Sequence, residues 1–223
     1  MILLMDGIQA IVEAIRQGNI DQVVALLDQE PDLVDQPTMN GLSLVMFASY
    51  HQQFEIANYL AALSPDLDIF EACVLGNLER VRELVFLDPE IINTYSIDGF
   101  QPLGLASFFG KTSVVAYLLT MGAQVNSPSK NDMKVMPLHS GVAGRNMEVV
   151  RLLLAAGAAV NASQNEGFTP IHAAAQNGQL EMVRLLLDFG ADLLQQTVNG
   201  KTAYDLAVEN NHLDVAEYIK DVT

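Results

Sequence analysis

Short apolar segments alternate with polar, glycine-marked turns along most of the chain, and residues 167–192 show this most clearly. Thr169 and Pro170 are residue types that favour a helix N-cap and the first helical position, and Gly178 suits a left-handed helix end. The apolar positions after this glycine are Leu180, Met182, Val183, Leu185, Leu186 and Leu187. Their spacing is that of one helix face. The pattern predicts a short helix, a tight turn, a returning helix and a closing turn at Gly190.

The same pattern recurs at a regular interval along the chain. His139 and His172 end the matching phrases MPLH and TPIH, and the turn residue Gly167 has its counterpart in Gly200. The small residue of the first helix aligns at Ala14, Ala48, Ala72, Ala106, Gly141, Ala174 and Ala207. A 33-residue period with a Thr-Pro-Leu-His phrase is the sequence mark of the ankyrin repeat, so the chain resembles the ankyrin-repeat family.

This resemblance implies an all-α fold, an ankyrin-repeat solenoid of about seven helix-turn-helix units with short β-turn fingers. It implies a single domain over residues 1–223, in which 1–38 and 199–223 are the capping units. Terminal units of a solenoid are atypical because one side of them faces water. The apolar leader from Met1 to Met5 is then expected either to fold back as a cap or to bind a partner.

Two irregular intervals between the aligned small residues predict local changes in the row of fingers. The interval from Ala48 to Ala72, here called the short interval, lacks about one finger between Ala61 and Ile69. The interval from Ala106 to Gly141, here called the long interval, predicts a slightly longer finger near 127–133.

A second, longer period lies over the first in the N-terminal half. Gly18 matches Gly76, and Pro31 matches Pro89, at the same offset. We interpret this half as a duplicated two-repeat module. The alternative is the general similarity between repeats of one family.

The resemblance implies that His139 and His172 hydrogen-bond the turn backbone. A metal pair is the alternative, but no nearby Cys or acidic pair completes a ligand set, so neither a metal nor a cofactor is expected. His51 and His212 are expected on the surface. The sequence departs from the family pattern where Gln101 and Met136 replace the capping Thr, Gly104 and Asp205 replace the His, and Lys134 replaces the turn Gly.

The formal net charge of −16 limits the classes of partner that the chain is expected to bind. Such a chain repels phosphate backbones and anionic membranes, so we expect neither nucleic acid nor a membrane as partner. A basic patch on a protein would be attracted, chiefly through faster association. Residues 1–36 carry seven acidic side chains against Arg16 alone, and this excess either steers a basic partner or is a solvated capping surface.

The single cysteine, Cys73, allows no internal disulfide, which suits a reducing cytosol. It falls at a small-residue helix position, which predicts a buried, unreactive thiol.

The N-terminus lacks the basic region of a secretory signal, and apolar stretches such as 152–160 are too short to span a membrane. We therefore expect a cytoplasmic protein. No phosphate-binding glycine loop or catalytic group of residues is found, so an enzyme is not expected.

Ankyrin-repeat proteins usually bind through the finger tips and the exposed side of each first helix, which line a concave surface. The matching positions are Met39, Leu42, Ile97, Phe100, Met133, Val135 and Phe168 on the fingers, and Tyr50, His51, Phe108, Phe109 and Gln176 on the first helices. Exposed apolar patches mark interaction surfaces, and aromatic anchors dominate interface energies. For Phe108 and Phe109 the alternative is packing into the space left by Gly104 and Gly110.

The resemblance thus implies a non-catalytic protein-protein interaction module, monomeric or weakly homo-oligomeric, similar to stand-alone bacterial ankyrin-repeat proteins. Its client protein is unknown, and a basic patch on that client is one candidate feature. Two other functions stay open: an acidic decoy that inhibits a basic nucleic-acid-binding protein, and an effector that acts on a foreign cell's proteins. Self-association through Met1 to Met5 is a further alternative.

Overall fold

The computed structural model describes residues 2–64 and 66–223, and for residues 2–6 it describes the backbone alone. These residues form fourteen α-helices and no strand, which confirms the all-α prediction. The helices are α1 (Ile2–Arg16), α2 (Ile20–Gln29), α3 (Leu44–Tyr50), α4 (Phe54–Leu63), α5 (Ile69–Leu75), α6 (Leu78–Leu87), α7 (Pro102–Phe108), α8 (Thr112–Thr120), α9 (Pro137–Ala143), α10 (Met147–Ala155), α11 (Pro170–Gln176), α12 (Leu180–Asp188), α13 (Ala203–Glu209) and α14 (Leu213–Val222). The role predicted for Met1 to Met5 concerns side chains that lie outside the described residues.

Successive helices pack in pairs, from α1 with α2 to α13 with α14, and give seven helix-turn-helix repeats. The chain divides into two compact units, an N-terminal unit (Met1–Ile91) and a C-terminal unit (Ile92–Thr223). Within the N-terminal unit α1, α3 and α5 pack one on the next, and α2 packs on α4. Within the C-terminal unit α7, α9, α11 and α13 do the same, while α8 packs on α10 and α12 on α14. The single domain with capping units at 1–38 and 199–223 stays a prediction.

Small side chains in the first helix of each repeat allow neighbouring helices to approach closely. Ala48, Ala106 and Ala174 are fully buried. At Gly141 in α9, an added Cβ would lie 3.2 Å from a methyl group of Val150, so even one extra carbon is tight. Larger buried side chains from the second helices complete the core, and each buried square ångström of apolar surface stabilises by about 25 cal/mol.

The chain passes from α4 to α5 through residues 64–68, and the described part of this link forms no finger, as the short interval predicts. Arg80 of α6 anchors the link, since its Nε donates to the Leu67 carbonyl at 2.9 Å. The same guanidinium lies 2.9 Å from the Glu83 carboxylate and 3.8 Å from that of Asp66. A mostly buried cation therefore holds the segment that replaces a finger.

The longer period of the N-terminal half is visible in the element bounds. Helices α2 and α6 start at Ile20 and Leu78, each two positions after a matched glycine, and both are ten residues long. Each is followed by a five-residue 3₁₀ helix, Pro31–Asp35 in the first copy and Pro89–Asn93 in the second. Helices α3 and α7 keep the same offset. The copies thus share the order and length of their elements, which supports the duplicated module.

Both histidines of the repeated phrase hydrogen-bond turn backbone. The ring of His172 is buried, accepts at Nδ1 from the backbone N–H of Thr169 at 3.1 Å and from its hydroxyl at 2.8 Å, and donates from Nε2 to the Gln195 carbonyl at 3.0 Å. His139 donates from Nε2 to the Phe168 carbonyl at 3.3 Å. In the described part of the chain its buried Nδ1 has no partner.

His212, which was expected on the surface, is only partly exposed. This side chain is half-buried and covers the left-handed turn at Gly178 (φ 67°), where an added Cβ would overlap the imidazole ring. The N-cap position of α14 explains this placement, because it brings the ring over the turn of the preceding repeat. His51, by contrast, is exposed as expected.

Charge is unevenly distributed between the two units. Residues 1–91 contain fifteen acidic and three basic side chains, a formal charge of −12. Residues 92–223 contain twelve acidic and eight basic side chains, a formal charge of −4. Three quarters of the net charge therefore belongs to the N-terminal unit.

Candidate functional site

Five turn fingers connect the helix pairs, and we number them finger 1 (38–42), finger 2 (96–100), finger 3 (129–135), finger 4 (164–168) and finger 5 (197–201). In each finger the backbone N–H of the first residue donates to the carbonyl of the last at 2.8–2.9 Å. Finger 3 is two residues longer than the others, as the long interval predicts. These closed turns hold the finger tips away from the helices.

Fingers 2 to 5 are joined to one another through their backbones. The backbone N–H of Lys130 donates to the Gly99 carbonyl at 2.8 Å, which joins finger 3 to finger 2. The N–H of Asn165 donates to the Met133 carbonyl at 3.0 Å, and the N–H of Val198 donates to the Glu166 carbonyl at 2.9 Å. Because paired backbone groups fix the separation of two segments, the tip side chains of the C-terminal unit stand in a defined register.

The candidate residues on the fingers differ in exposure. Met39, Ile97 and Met133 sit at the tips, with exposed fractions of 78%, 70% and 56%. The candidates nearer the finger bases, Leu42, Phe100, Val135 and Phe168, are half-buried. Apolar side chains at the tips are thus open to a partner, while those at the bases also contribute to packing.

Val198 is a fourth exposed apolar residue at a finger tip. It is 78% exposed and precedes Gly200 by two positions, as Met39 precedes Gly41. The alignment of the turn glycines identifies this position from the sequence alone.

The candidates on the first helices lie where those helices end. Tyr50 is half-buried, and the exposed His51 ring lies 4.4 Å from that of Phe47. Phe108 and Phe109, the aromatic pair, occupy the same two positions one module later. Their rings meet edge to face at 5.1 Å, and Phe108 is 42% exposed while Phe109 is half-buried.

Other side chains also lie beside the two glycines that the packing alternative names. An added Cβ at Gly104 would lie 3.9 Å from Cδ1 of Phe100, and one at Gly110 would lie 2.8 Å from Nδ2 of Asn146. Binding and packing both stay predictions for the aromatic pair.

The next repeat fixes the backbone of the aromatic pair. Gly144, the C-cap of α9, packs so closely on the Phe108 carbonyl oxygen that an added Cβ would overlap it. The backbone is thus held from one side while the Phe108 ring stays partly open to solvent. Gln176 has the corresponding place at the end of α11 and is half-buried.

A cleft of about 270 Å³ lies between finger 3 and finger 4. It is lined by Met133, Gln164, Asn165, Glu166 and Phe168. The structure therefore brings Met133 and Phe168, two of the predicted binding residues, together with three polar neighbours. The backbone of Glu166 is left-handed (φ 61°), a conformation that few non-glycine residues adopt, and no residue pattern indicates it.

The titratable groups give little support to catalysis. Burial raises the pKa of the Cys73 thiol, which disfavours the nucleophilic thiolate. Burial also lowers the pKa of His139 to about 4, against the opposing effect of its hydrogen bond to Phe168. Within residues 2–64 and 66–223, no three His, Cys, Asp or Glu side chains come together as ligands for a metal ion. In the same part of the chain, no helix combines the length and apolar character needed to cross a membrane.

A family model described as ankyrin repeats (3 copies) matches residues 69–164 and 138–222 of this chain. The matched segments together run from 69 to 222, more than half of the sequence. They include α5 to α14 and fingers 2 to 5.

Three relatives show how the similarity is distributed. A rat protein, ankyrin repeat and SAM domain-containing protein 6, is 32% identical over 102 residues, 46% of this chain and 11% of its own length. A protein of Saccharomyces cerevisiae named probable 26S proteasome regulatory subunit p28 is 26% identical over 172 residues, 70% of this chain and 74% of its own. The target of rapamycin complex 2 subunit AVO2 of the same yeast is 28% identical over 157 residues, 65% of this chain and 36% of its own. This chain spans only about a tenth of the rat protein.

Proposed function

The chain belongs to the ankyrin-repeat family, and we propose that it is a non-catalytic binding module that holds a client protein through its finger tips and the exposed ends of its first helices. Repeats of this family generally mediate protein-protein interaction, and they are generally non-catalytic. The fold alone does not identify a client, so the proposal rests on the side chains at these positions.

The observation that carries the proposal is the exposure of apolar side chains at four of the five finger tips. Met39, Ile97 and Val198 each stand two positions before the turn glycine, and Met133 stands directly before Lys134, which replaces that glycine. All four expose more than half of their surface. Isolated exposed apolar side chains are common, but exposed apolar side chains at several finger tips are typical of an interaction surface. The backbone bonds that join fingers 2 to 5 order Ile97, Met133 and Val198 before any client arrives, which lowers the entropic cost of binding.

The aromatic pair supplies the anchor of this surface. Phe108 presents a ring that is 42% exposed, on a backbone held by Gly144 of the next repeat. Aromatic residues on rigid backbone are frequent interface hot spots, and truncation of one costs about 2 kcal/mol or more. Tyr50 and His51 place a related pair in the N-terminal unit.

Two of the relatives agree with a role in assembly. The yeast proteins are named as subunits, one as a probable 26S proteasome regulatory subunit and one as a subunit of target of rapamycin complex 2. By analogy, we propose that the client of this chain is a component of a larger protein assembly.

Affinity capture from a lysate of the source organism tests the proposal. The baits are the wild-type chain and the Phe108→Ala/Phe109→Ala variant, each shown to be folded by circular dichroism. Phe189→Ala is the matched control, because Phe189 has an exposed fraction of 45%, close to that of Phe108, and lies outside the proposed surface. A protein retained by wild type and control but lost by the double variant supports the proposal. A client retained equally by all three contradicts the aromatic anchor.

A second function, an acidic decoy for a basic nucleic-acid-binding protein, is favoured by the formal charge of −12 in residues 1–91. This function requires binding dominated by charge. It therefore predicts that captured proteins dissociate when salt rises to about 0.5 M, where exposed charges are strongly screened. It also predicts retention by the Phe108→Ala/Phe109→Ala variant, which separates it from the first proposal.

A further inference from the structure

The cleft between finger 3 and finger 4 has one apolar side and one charged group. Met133 and Phe168 supply the apolar surface, and Gln164 and Asn165 supply amide groups. Glu166 is exposed and is the one charged residue among the five that line the cleft. A carboxylate beside an apolar surface matches a ligand that presents a cation beside an apolar group.

Backbone bonds hold the cleft in this shape without a ligand. The N–H of Asn165 donates to the Met133 carbonyl at 3.0 Å, which ties finger 4 to finger 3. The Glu166 carbonyl accepts from Val198 at 2.9 Å, and the Glu166 N–H donates to the Asn165 side chain at 3.0 Å. Glu166 thereby keeps its left-handed backbone, a conformation that persists only where surrounding contacts enforce it.

Basic residues of the neighbouring fingers lie outside the cleft lining. The Lys130 ammonium lies 4.1 Å from the centre of the Tyr95 ring, and that of Lys201 is paired with Glu209 at 2.6 Å. Lys134 follows Met133 but is not among the lining residues. The charge presented inside the cleft is therefore that of Glu166.

We infer that this cleft binds an apolar side chain together with an adjacent lysine or arginine on an extended segment of the client. The apolar side chain lies against Met133 and Phe168, and the cation faces Glu166. The inference rests on the proposed function, because it names the chemistry of the client at one part of the same surface. The volume of about 270 Å³ is below the roughly 300–1,000 Å³ of small-molecule pockets, which favours one pair of side chains.

The test uses a minimal probe, acetyl-Leu-Lys-amide, titrated into the full chain and followed by NMR of the Met133 methyl group and the amides of 164–168. We expect saturable shifts confined to these signals. Acetyl-Leu-Glu-amide should bind about threefold more weakly, the size expected for one exposed ion pair. Glu166→Lys should invert this preference, while the matched control Glu148→Lys, at an exposed position on α10, should leave it unchanged.

Several results would overturn the inference. One is the absence of saturable shifts at Met133 and 164–168, and another is an unchanged preference for Lys over Glu in folded Glu166→Lys protein. If that variant does not fold, Glu166→Gln replaces it, and the preference should disappear. A client captured through the aromatic pair, combined with no probe binding in the cleft, removes this inference and leaves the proposed function standing. Probe binding with the expected preference supports the inference even where capture fails.

Discussion

In α9, α11 and α13, the third residue of the helix and the capping residue together decide whether the helix start is fully hydrogen-bonded. His172 accepts from both donors of Thr169, and Asp205 does the same with Thr202, at 2.8 Å from the backbone N–H and 2.7 Å from the hydroxyl. These bonds lower the pKa of Asp205. His139 has no hydroxyl partner, because Met136 stands in the capping position. A buried Nδ1 without a partner costs about 1–3 kcal/mol.

Met136→Thr should therefore stabilise the protein by about 1 kcal/mol, through one cap and one hydrogen bond to the His139 ring. The backbone at Met136 (φ −90°, ψ 161°) is already close to that at Thr169 (φ −105°, ψ 167°), so little rearrangement is needed. The free energy of unfolding from urea titrations measures the effect.

The reciprocal variant Thr169→Met provides the control, with an expected loss of about 1–2 kcal/mol. An unchanged free energy of unfolding for Met136→Thr would show that the absence of a hydroxyl beside His139 does not lower the stability.

The depressed pKa of His139 predicts acid sensitivity. An unfolded histidine titrates near 6.5 and folded His139 near 4, so between these values the unfolded chain binds more protons. The contribution of neutral His139 to the free energy of unfolding is fully present above pH 6.5. It is lost as pH falls towards 4, by at most about 1.4 kcal/mol per pH unit. Unfolding at pH 7 and pH 5 should show a larger loss for wild type than for His139→Gln. Equal losses would mean that another group controls the response.

Sequence alone predicted the roles of His139 and His172 because each stands at a fixed place in a repeated phrase. It did not predict Glu166 as a cleft residue. The backbone of Glu166 depends on a bond from Val198, which belongs to the next finger. A backbone hydrogen bond between two repeats does not depend on the local pattern of apolar and polar residues, so that pattern does not predict it.

At the scale of the elements, glycines near helix ends are needed for two different reasons. The end of α9 meets the end of α7 at Gly144, which has ordinary helical φ of −72° and needs glycine only for space. Gly157, in a turn with φ 88°, has open space around it and needs glycine only for conformation.

Gly144→Ala should destabilise the protein by about 2–3 kcal/mol, because its Cβ forces α9 away from the Phe108 carbonyl. Thermal unfolding followed by circular dichroism measures this. Gly157→Ala is the comparison, with an expected cost of about 1 kcal/mol from backbone strain alone. A smaller loss for Gly144→Ala than for Gly157→Ala would show that the two helix ends separate easily.

The intervals between the aligned small residues predicted the elements well, because each repeat buries one apolar face in the same way. The short interval predicted the link without a finger, and the long interval predicted the extended finger 3. No residue pattern indicated that Arg80 would anchor that link through the Leu67 carbonyl. A polar contact between a helix and a connecting segment follows no period.

At the scale of the whole molecule, the two units consist of the same kind of helix pair but differ in net charge. The N-terminal unit has a formal charge of −12, three times that of the C-terminal unit. Like charges at this density destabilise a compact state through repulsion, and salt screens that repulsion.

Raising NaCl from about 20 mM to about 300 mM, which shortens the Debye length several-fold, should stabilise residues 1–91 more than residues 92–223. Hydrogen exchange of the amides in α1 to α6 and in α7 to α14 measures the two responses in one sample. An equal gain in protection for both sets of helices would contradict the electrostatic explanation.

The duplicated module also bears on how the gene can change. Removal of codons 31–88 joins Glu30 to Pro89 and reproduces, in frame, an acidic residue followed by proline, as in both present copies. Unequal recombination between the copies can thus delete or add a module at a junction that already exists. Each such event changes the length of the protein by two helix pairs but by only one finger, so a lineage can vary the number of its fingers while the order of its elements is inherited intact.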